Sequence, residues 1–409
     1  MRLIFLILFI ILIDSYVYQS FQTSIQGLGT NARRLLKIAY WSLPVISVSL
    51  ILLYEAGYAP WLPKNGGRSV LLAMLILSYI CKMMVVPFIL LDDIRRIGTI
   101  GVQFFQGTTT HMPSRSRFLS TLGLSFGVLP FITLLYGMWR NPYRYKIHQA
   151  RVPVAGLHPD LHGFKIVQIS DIHSGSFNLI EPVENAIRMI NNLNPDLVCF
   201  TGDLVNNQSK EMQPFIPLFS QIKARLGVYS VLGNHDYGDY FNWDTPQEKE
   251  ANFQEMIHTH QKLGWKLLRN EHEVLQVGDA KLTVLGVENY SATARFHRYG
   301  DLEKSLTGSP ADSTKILLSH DPSHWDAQVR DKQKDIVLTM SGHTHGMQFG
   351  VEIPGWIKWS PVQYIYKQWA GLYSASTQHL YVNRGLGFLG YPGRVGILPE
   401  ITLLELEPA

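Results

Sequence analysis

Ile336-Val337-Leu338-Thr339-Met340-Ser341-Gly342-His343-Thr344-His345-Gly346 carries an apolar run straight into two histidines one residue apart. The run reads as a buried strand, and the flanking glycines let the backbone turn sharply and approach an ion closely. Neutral imidazole is a metal ligand. Taken alone, His-x-His also suits a pair of surface histidines in a turn, so its meaning depends on what precedes it.

Four earlier runs repeat the arrangement. Phe164–Ile169 ends in Ser170-Asp171-Ile172-His173, and Asp196–Phe200 ends in Thr201-Gly202-Asp203. Val228–Leu232 ends in Gly233-Asn234-His235-Asp236, and Lys315–Leu318 ends in Ser319-His320-Asp321. Five apolar strands thus deliver Asp, Asn or His at their carboxyl ends, where α/β sheets place ligand sites. Helices are predicted between them over Glu181–Leu193, Lys210–Leu226 and Gln247–Leu263, with Asn194-Pro195 and Gly227 as end signals. This alternation from about Arg151 onward predicts an α/β domain.

Three Asp/Asn oxygens and four His nitrogens exceed the needs of one ion and suit two, with one carboxylate bridging. No thiolate is among them, which excludes a closed cysteine zinc site. Mixed imidazole and oxygen ligation suits two divalent ions drawn from Mn, Fe, Zn or Co. Two such ions clamp a phosphoryl group and ionise a water for in-line attack.

Asp171-x-His173, Gly202-Asp203, Gly233-Asn234-His235-Asp236, His320 and Gly342-His343-x-His345 resemble the five-part signature of calcineurin-like metallophosphoesterases. The resemblance implies two facing mixed β-sheets flanked by helices. It implies that Asp171, His173 and His345 hold one ion, that Asn234, His320 and His343 hold the other, and that Asp203 bridges them. It further implies that His235 contacts the scissile phosphate and protonates the leaving oxygen, with Asp236 orienting its imidazole. Thr201–Val205, Leu318–Pro322, Leu380–Gly387 and Pro399–Thr402 are similar to a membrane-associated bacterial branch. That branch includes YkuE-like phosphoesterases and enzymes resembling UDP-diacylglucosamine pyrophosphatases, and it implies an inner-membrane location.

The first 150 residues are of another kind. They hold fourteen Lys/Arg and four acids, against 22 basic and 28 acidic residues in the remainder. Net basicity therefore belongs to membrane-flanking segments, and the acidic second half argues against a nucleic-acid partner. Leu3–Ile13 (continuing to Phe21), Ile38–Tyr54, Val70–Leu91 and Phe118–Trp139 each approach the length that spans a bilayer. Trp41, Trp61, Trp139 and Tyr143 fall near their predicted ends. The expected organisation is a four-span anchor over 1–145, a linker over 146–162 and a catalytic domain over 163–409. The first segment is a poor signal peptide, since Asp14 interrupts it and no cleavage site follows. Basic residues number seven on each side of the membrane, so charge assigns no orientation to the catalytic domain. Asp14 and Lys82 are ionisable groups at membrane depth, read here as structural. Two cysteines, Cys81 and Cys199, exclude a disulfide framework.

Beyond the metal loop come Phe349, Val351, Ile353, Pro354, Trp356, Ile357, Trp359, Tyr364, Tyr366 and Trp369. They suit either a groove for an acyl chain or a surface dipping into a bilayer, or else plain packing of a capping loop. Arg384 and Arg394 are candidates for a second phosphate, because guanidinium matches phosphate bidentately. The expected activity is phosphohydrolysis of a phosphorylated small molecule or lipid at a membrane, with UDP-diacylglucosamine as the type of lipid substrate. The rival is a membrane sensor or scaffold that binds a phosphorylated ligand without turnover. An intact His235–Asp236 pair argues against it, since a pure binder needs no proton donor.

Overall fold

The computed structural model describes residues 2–55, 67–108, 114–293, 295–353 and 355–409. Trp61 and Pro354 lie outside them. The chain divides into two compact units, Met1–Tyr136 and Gly137–Ala409.

The first unit is helical: α1 (Arg2–Ser24), α2 (Thr30–Glu55), α3 (Gly67–Phe105) and α4 (Arg117–Trp139), the last running on into the second unit. Among the described residues, three stretches, Ile4–Ser24, Ala73–Phe105 and Arg117–Trp139, are long and apolar enough to cross a bilayer. The least apolar helix is α2, which opens with Arg33, Arg34 and Lys37. Burial here is inside out. Phe5, Ile94 and Phe118 are exposed, whereas Asp14 is fully buried. Its carboxylate pairs with Lys82 and accepts from the Tyr79 hydroxyl at 2.7 Å, while Tyr40 donates to its backbone carbonyl at 2.8 Å. Every member of this cluster has a partner, so the charges sit at membrane depth as a neutral pair.

The second unit is a sandwich of two six-stranded sheets. One contains β1 (Lys146–Val154), β2 (Lys165–Ile169), β3 (Leu197–Phe200), β4 (Val228–Ser230), β5 (Lys266–Leu267) and β14 (Glu400–Pro408), in the order β1-β14-β2-β3-β4-β5. The other contains β6 (Glu271–Val277), β7 (Ala280–Gly286), β8 (Thr314–Leu318), β9 (Ile336–Ser341), β12 (Gly371–Ala375) and β13 (Gln378–Val382), in the order β12-β13-β9-β8-β7-β6. A separate hairpin pairs β10 (Val351–Ile353) with β11 (Ile357–Trp359). The two large sheets are mixed: β2, β3, β4 and β5 run parallel, as do β7, β8, β9 and β13, while β14 opposes β2 and β6 opposes β7.

The parallel strands explain the near-continuous apolar runs of the sequence, because they are covered on both faces. Ile166, Leu197, Cys199, Leu282, Ile316, Leu338 and Leu404 fill the space between the sheets. Val167, Val198 and Phe200 face outward under α5 (Ile180–Asn192) and α7 (Pro246–Lys262). Leu285, Leu317 and Val382 form a third layer with Trp325 and with Leu302 of the short helix α8 (Leu302–Leu306).

Two local expectations change. Residues 146–162 are not a free linker: Lys146–Val154 forms nine consecutive parallel pairs with Glu400–Pro408, burying Val152 and Val154. Nor is 210–226 one helix. Pro214 and Pro217 split it into a 3₁₀ stretch, Ser209–Phe215, and the single-turn α6 (Ile216–Phe219), since proline removes a donor and clashes with the preceding turn.

Candidate metal centre

The carboxyl ends of β2, β3, β4, β8 and β9 converge on one point, and the polar residues after each strand meet there. Asp171, His173 and His345 form one group, and Asp203, His320 and His343 a second; in each, the ligating atoms lie within 4.8 Å of one another. In the first, Nε2 of His173 and Nε2 of His345 are 3.0 Å apart, and His345 Nε2 is 3.2 Å from Asp171 Oδ1. In the second, His320 Nε2 is 3.2 Å from His343 Nδ1, which is 2.8 Å from Asn234 Oδ1. Asp203 joins the groups: its Oδ2 is 3.1 Å from His320 Nε2 and 3.6 Å from His173 Nε2.

The far sides of three of the four rings show why these atoms face one another; at the fourth, Arg394 donates to His345 Nδ1 at 3.3 Å. His173 Nδ1 donates to the Val205 carbonyl and His320 Nδ1 to the Thr201 carbonyl. His343 turns Nε2 to the Tyr366 hydroxyl at 2.9 Å, and that hydroxyl donates to Asp321 at 3.3 Å. Hydrogen bonds that hold the outer nitrogens aim the inner ones at the carboxylates, as outer partners do for metal-bound imidazoles. Inner nitrogens and carboxylates packed together in this way suit two cations.

Electrostatics agrees. Burial pushes His173 down to about 3 and also lowers His343. Burial opposes charge on Asp171 and Asp203, yet His345 beside the first and His320 beside the second hold both carboxyls below the ordinary range. Burial likewise disfavours the imidazolium of His320, but Asp203 and Asp171 outweigh it and raise that ring to about 10. A cation added to this cluster would take over the role of that proton.

The backbone is bent to reach this arrangement. Asp171, His173, Asp203, His343 and His345 all have φ between 46° and 69°, in the left-handed region. Non-glycine residues there cost of order 1 kcal/mol each and cluster at functional sites. Gly342 is required for close approach: a Cβ at this position would lie 1.9 Å from Ser170 Oγ and 2.2 Å from Asp171 Oδ2.

His235 lies beside the groups, its ring 5.0 Å from that of His173. Its backbone N–H donates to Asp203 Oδ1 at 2.8 Å and its Nδ1 to the Asn206 carbonyl at 2.7 Å. The expected partner, Asp236, does not orient this imidazole. It is fully buried and accepts four backbone N–H groups, from Asp203 (2.9 Å), Leu204 (2.8 Å), Val205 (3.4 Å) and Gly233 (2.9 Å). It is a clamp between the loops carrying Asp203 and Asn234. Burial, followed by the Asp203 charge, raises its carboxyl to about 7.

Arg384 and Arg394 are not available to a substrate either. Arg384 is 3% exposed and bonded to Glu400 at 2.6 Å and Glu352 at 2.5 Å. Arg394 is fully buried and donates to the carbonyls of Gly385 and Gly387, whose loop donates in turn to Ser170 and Asp171. Each guanidinium shapes the wall behind the site.

Sequence reasoning missed Asn206 and Tyr240. Asn206 acts through its backbone carbonyl, which leaves no trace in residue identity. Tyr240 accepts from Asn234 Nδ2 at 3.1 Å and packs its ring 4.6 Å from that of His235. Its only signal is a place four residues past Asp236. Asp321, read only as a polar strand end, and Tyr366, read as part of an apolar groove, together support His343.

Comparison with known proteins follows this geometry. The family model described as "Calcineurin-like phosphoesterase" matches residues 164–347. A second, "Probable Calcineurin-like phosphoesterase, transmembrane domain", matches residues 1–142. The metallophosphoesterase YkuE of Bacillus subtilis (strain 168) is 30% identical over 275 residues, covering 66% of this chain and 89% of that one. A transmembrane protein with metallophosphoesterase domain from Danio rerio is 30% identical over 291 residues, 69% of this chain; the chain spans 62% of that relative's length. Among solved structures, a 5′-nucleotidase precursor from Thermus thermophilus aligns over 59% of this chain and 54% of its own, with 13% identity and a TM-score of 0.36, too loose to bear on function. With both its strand-end ligands and its helical region matched in this way, the chain belongs to the calcineurin-like metallophosphoesterase family, as a multi-pass membrane member.

Proposed function

We propose that the protein is a membrane-anchored phosphohydrolase, dependent on two metal ions, that cleaves a phosphoester or pyrophosphate bond. One observation carries the reading: two imidazole–carboxylate groups share Asp203 Oδ2, and hydrogen bonds from the outer nitrogens of His173 and His320 turn their inner nitrogens toward it. Asp171, His173 and His345 would hold one ion, and Asn234, His320 and His343 the other, with Asp203 common to both. Imidazole and oxygen donors without thiolate suit Mn, Fe, Zn or Co. Such ions, when bound, neutralise phosphoryl oxygens and lower the pKa of a water to near neutrality.

The chain's own groups supply the rest. The Asn206 carbonyl holds the Nδ1 proton of His235 and leaves Nε2 to face the site. In its imidazolium form that nitrogen donates a proton to the departing oxygen. Asp236 acts at one remove, holding the Asp203 and Gly233 backbones in register.

For the substrate we favour an amphiphile such as a nucleotide-linked lipid pyrophosphate of the UDP-diacylglucosamine type. Two features support it: the helices long and apolar enough to cross a bilayer, and the exposed apolar side chains that follow His345.

The test is hydrolysis by detergent-purified full chain with Mn²⁺. Products would be followed by mass spectrometry from UDP-diacylglucosamine, other lipid phosphates and a soluble aryl phosphodiester. His235→Ala should keep its metal and lose about 10²–10⁴ in turnover. Cleavage of soluble esters alone would overturn the amphiphilic substrate. Metal binding without cleavage of any substrate would replace hydrolysis by the sensor reading.

A further inference from the structure

Between Met347 and Ile365 the sheet unit exposes apolar surface that its own packing does not use. The antiparallel hairpin pairs Val351 with Trp359, Glu352 with Lys358 and Ile353 with Ile357. Paired residues share a face and successive residues alternate, so Glu352 and Lys358 lie on one face and the four apolar residues on the other. The polar face is bonded back to the sheet unit, although Lys358 itself is exposed. Glu352 takes a hydrogen bond from buried Arg384, and Lys358 donates to the Ala370 carbonyl with its ammonium 5.2 Å from the ring centroid of buried Trp369. On the apolar face Val351 is 43% and Ile353 42% exposed while Ile357 and Trp359 are half-buried, and Trp356 in the turn is 78% exposed. Tyr364, 77% exposed, follows five residues after Trp359. In a half-buried antiparallel pair facing water, the polarity is the reverse.

We propose that this hairpin docks into the interfacial layer of the phospholipid bilayer that holds the protein's helices. The occupant follows from the chain itself. Among the described residues three stretches are long and apolar enough to cross a bilayer, and only residues 140–145 separate the last of them from β1, at most about 20 Å of extended chain. The sheet unit is thereby tethered to the bilayer by a short link. Trp and Tyr are the side chains enriched at that depth. The one cation of the hairpin, Lys358, is exposed but lies on the face opposite the apolar one and donates to the Ala370 carbonyl. The hairpin leaves the metal loop six residues after His345 and returns to it through Tyr366, whose hydroxyl touches His343. Docking thus fixes the edge of the metal centre at the lipid surface. Binding lipid requires no turnover, so the inference is independent of the hydrolytic reading.

The test uses the full chain in nanodiscs of phosphatidylethanolamine and phosphatidylglycerol. Trp356→Cys would carry a bimane label, with Lys210→Cys, exposed on a 3₁₀ stretch, as reference; native Cys81 and Cys199 are buried and unlabelled. Shallow doxyl lipids should quench the label at 356 at least threefold more than at 210, and iodide should quench it correspondingly less. Equal iodide quenching at both positions, without doxyl quenching, would overturn the proposal. Protection from both quenchers would also overturn it, because a second copy or another part of the chain then covers the hairpin. Hydrolysis of a soluble aryl ester by the same labelled protein shows that the metal centre is folded and separates failure of the hairpin from failure of the enzyme.

Discussion

Replacing Asp236 by asparagine separates two roles that its sequence position leaves indistinguishable. Oδ2 of Asp236 takes the N–H groups of Asp203 and Gly233, both at 2.9 Å, and Oδ1 takes those of Leu204 and Val205 at 2.8 and 3.4 Å. An asparagine keeps one acceptor and turns an NH₂ against the other pair of donors. Burial and the Asp203 charge already oppose ionisation of this carboxyl, so each lost bond is taken at about 1.5 kcal/mol, the low end for a charged acceptor. Two of them come to about 3 kcal/mol. For a unit the size of Gly137–Ala409 this lowers the melting temperature by about 5 °C. The assay is a thiol-reactive dye on the full chain in a Cys81→Ser background. Cys199, fully buried on β3, is then the single reporter of sheet unfolding. Metal affinity should fall with stability, since Asp203 sits in the loop that Asp236 clamps. An Asp236→Asn protein that melts within 1 °C of the parent yet turns over poorly would refute the clamp and return Asp236 to His235.

Arg384→Gln strands Glu400, which is fully buried, and should cost about 3–5 kcal/mol in the same melting assay; a raised KM with unchanged melting would restore the substrate-binding role. Gly342→Ala should abolish metal retention, read by elemental analysis, because its Cβ would overlap Ser170 and Asp171; a fully metallated variant would show that the β9 turn is more pliable than described. Acid should destabilise the sheet unit through His260, which burial lowers to about 3. Its folded pKa lies below the unfolded value of about 6.5, so the unfolded chain binds the extra proton between them. Stability is therefore lost as pH falls below about 6.5, by about 1.4 kcal/mol per unit for this group. His260→Gln should flatten the melting profile between pH 5 and 6.5, and an unaltered slope would rule His260 out as its source.

The metal-group residues were readable before the structure because each stands just past an apolar run, and strand ends in an α/β sheet point to one crevice. What stayed hidden depends on partners far apart in sequence or on backbone atoms. Asp236 resembled a carboxylate beside a histidine, but its partners are peptide N–H groups that no residue type announces. Arg384 resembled a phosphate ligand because Glu400 reaches it only after β14 has been placed between β1 and β2. β1 itself passed for a linker since its apolar positions, Ile147, Val152 and Val154, make sense only against a strand some 250 residues later. The break in 210–226 was visible in Pro214 and Pro217, but apolar spacing across the segment outweighed them.

The position of β14 has a consequence for biogenesis. Residues 400–408 separate β1 from β2, so the sheet carrying Asp171 and Asp203 cannot close until that stretch has been synthesised. Chains emerge from the ribosome N-terminus first, and the apolar helices meet the translocation machinery while this sheet is still open. A site completed only at that stage would take up its ions on the side of the membrane where the sheet unit then lies.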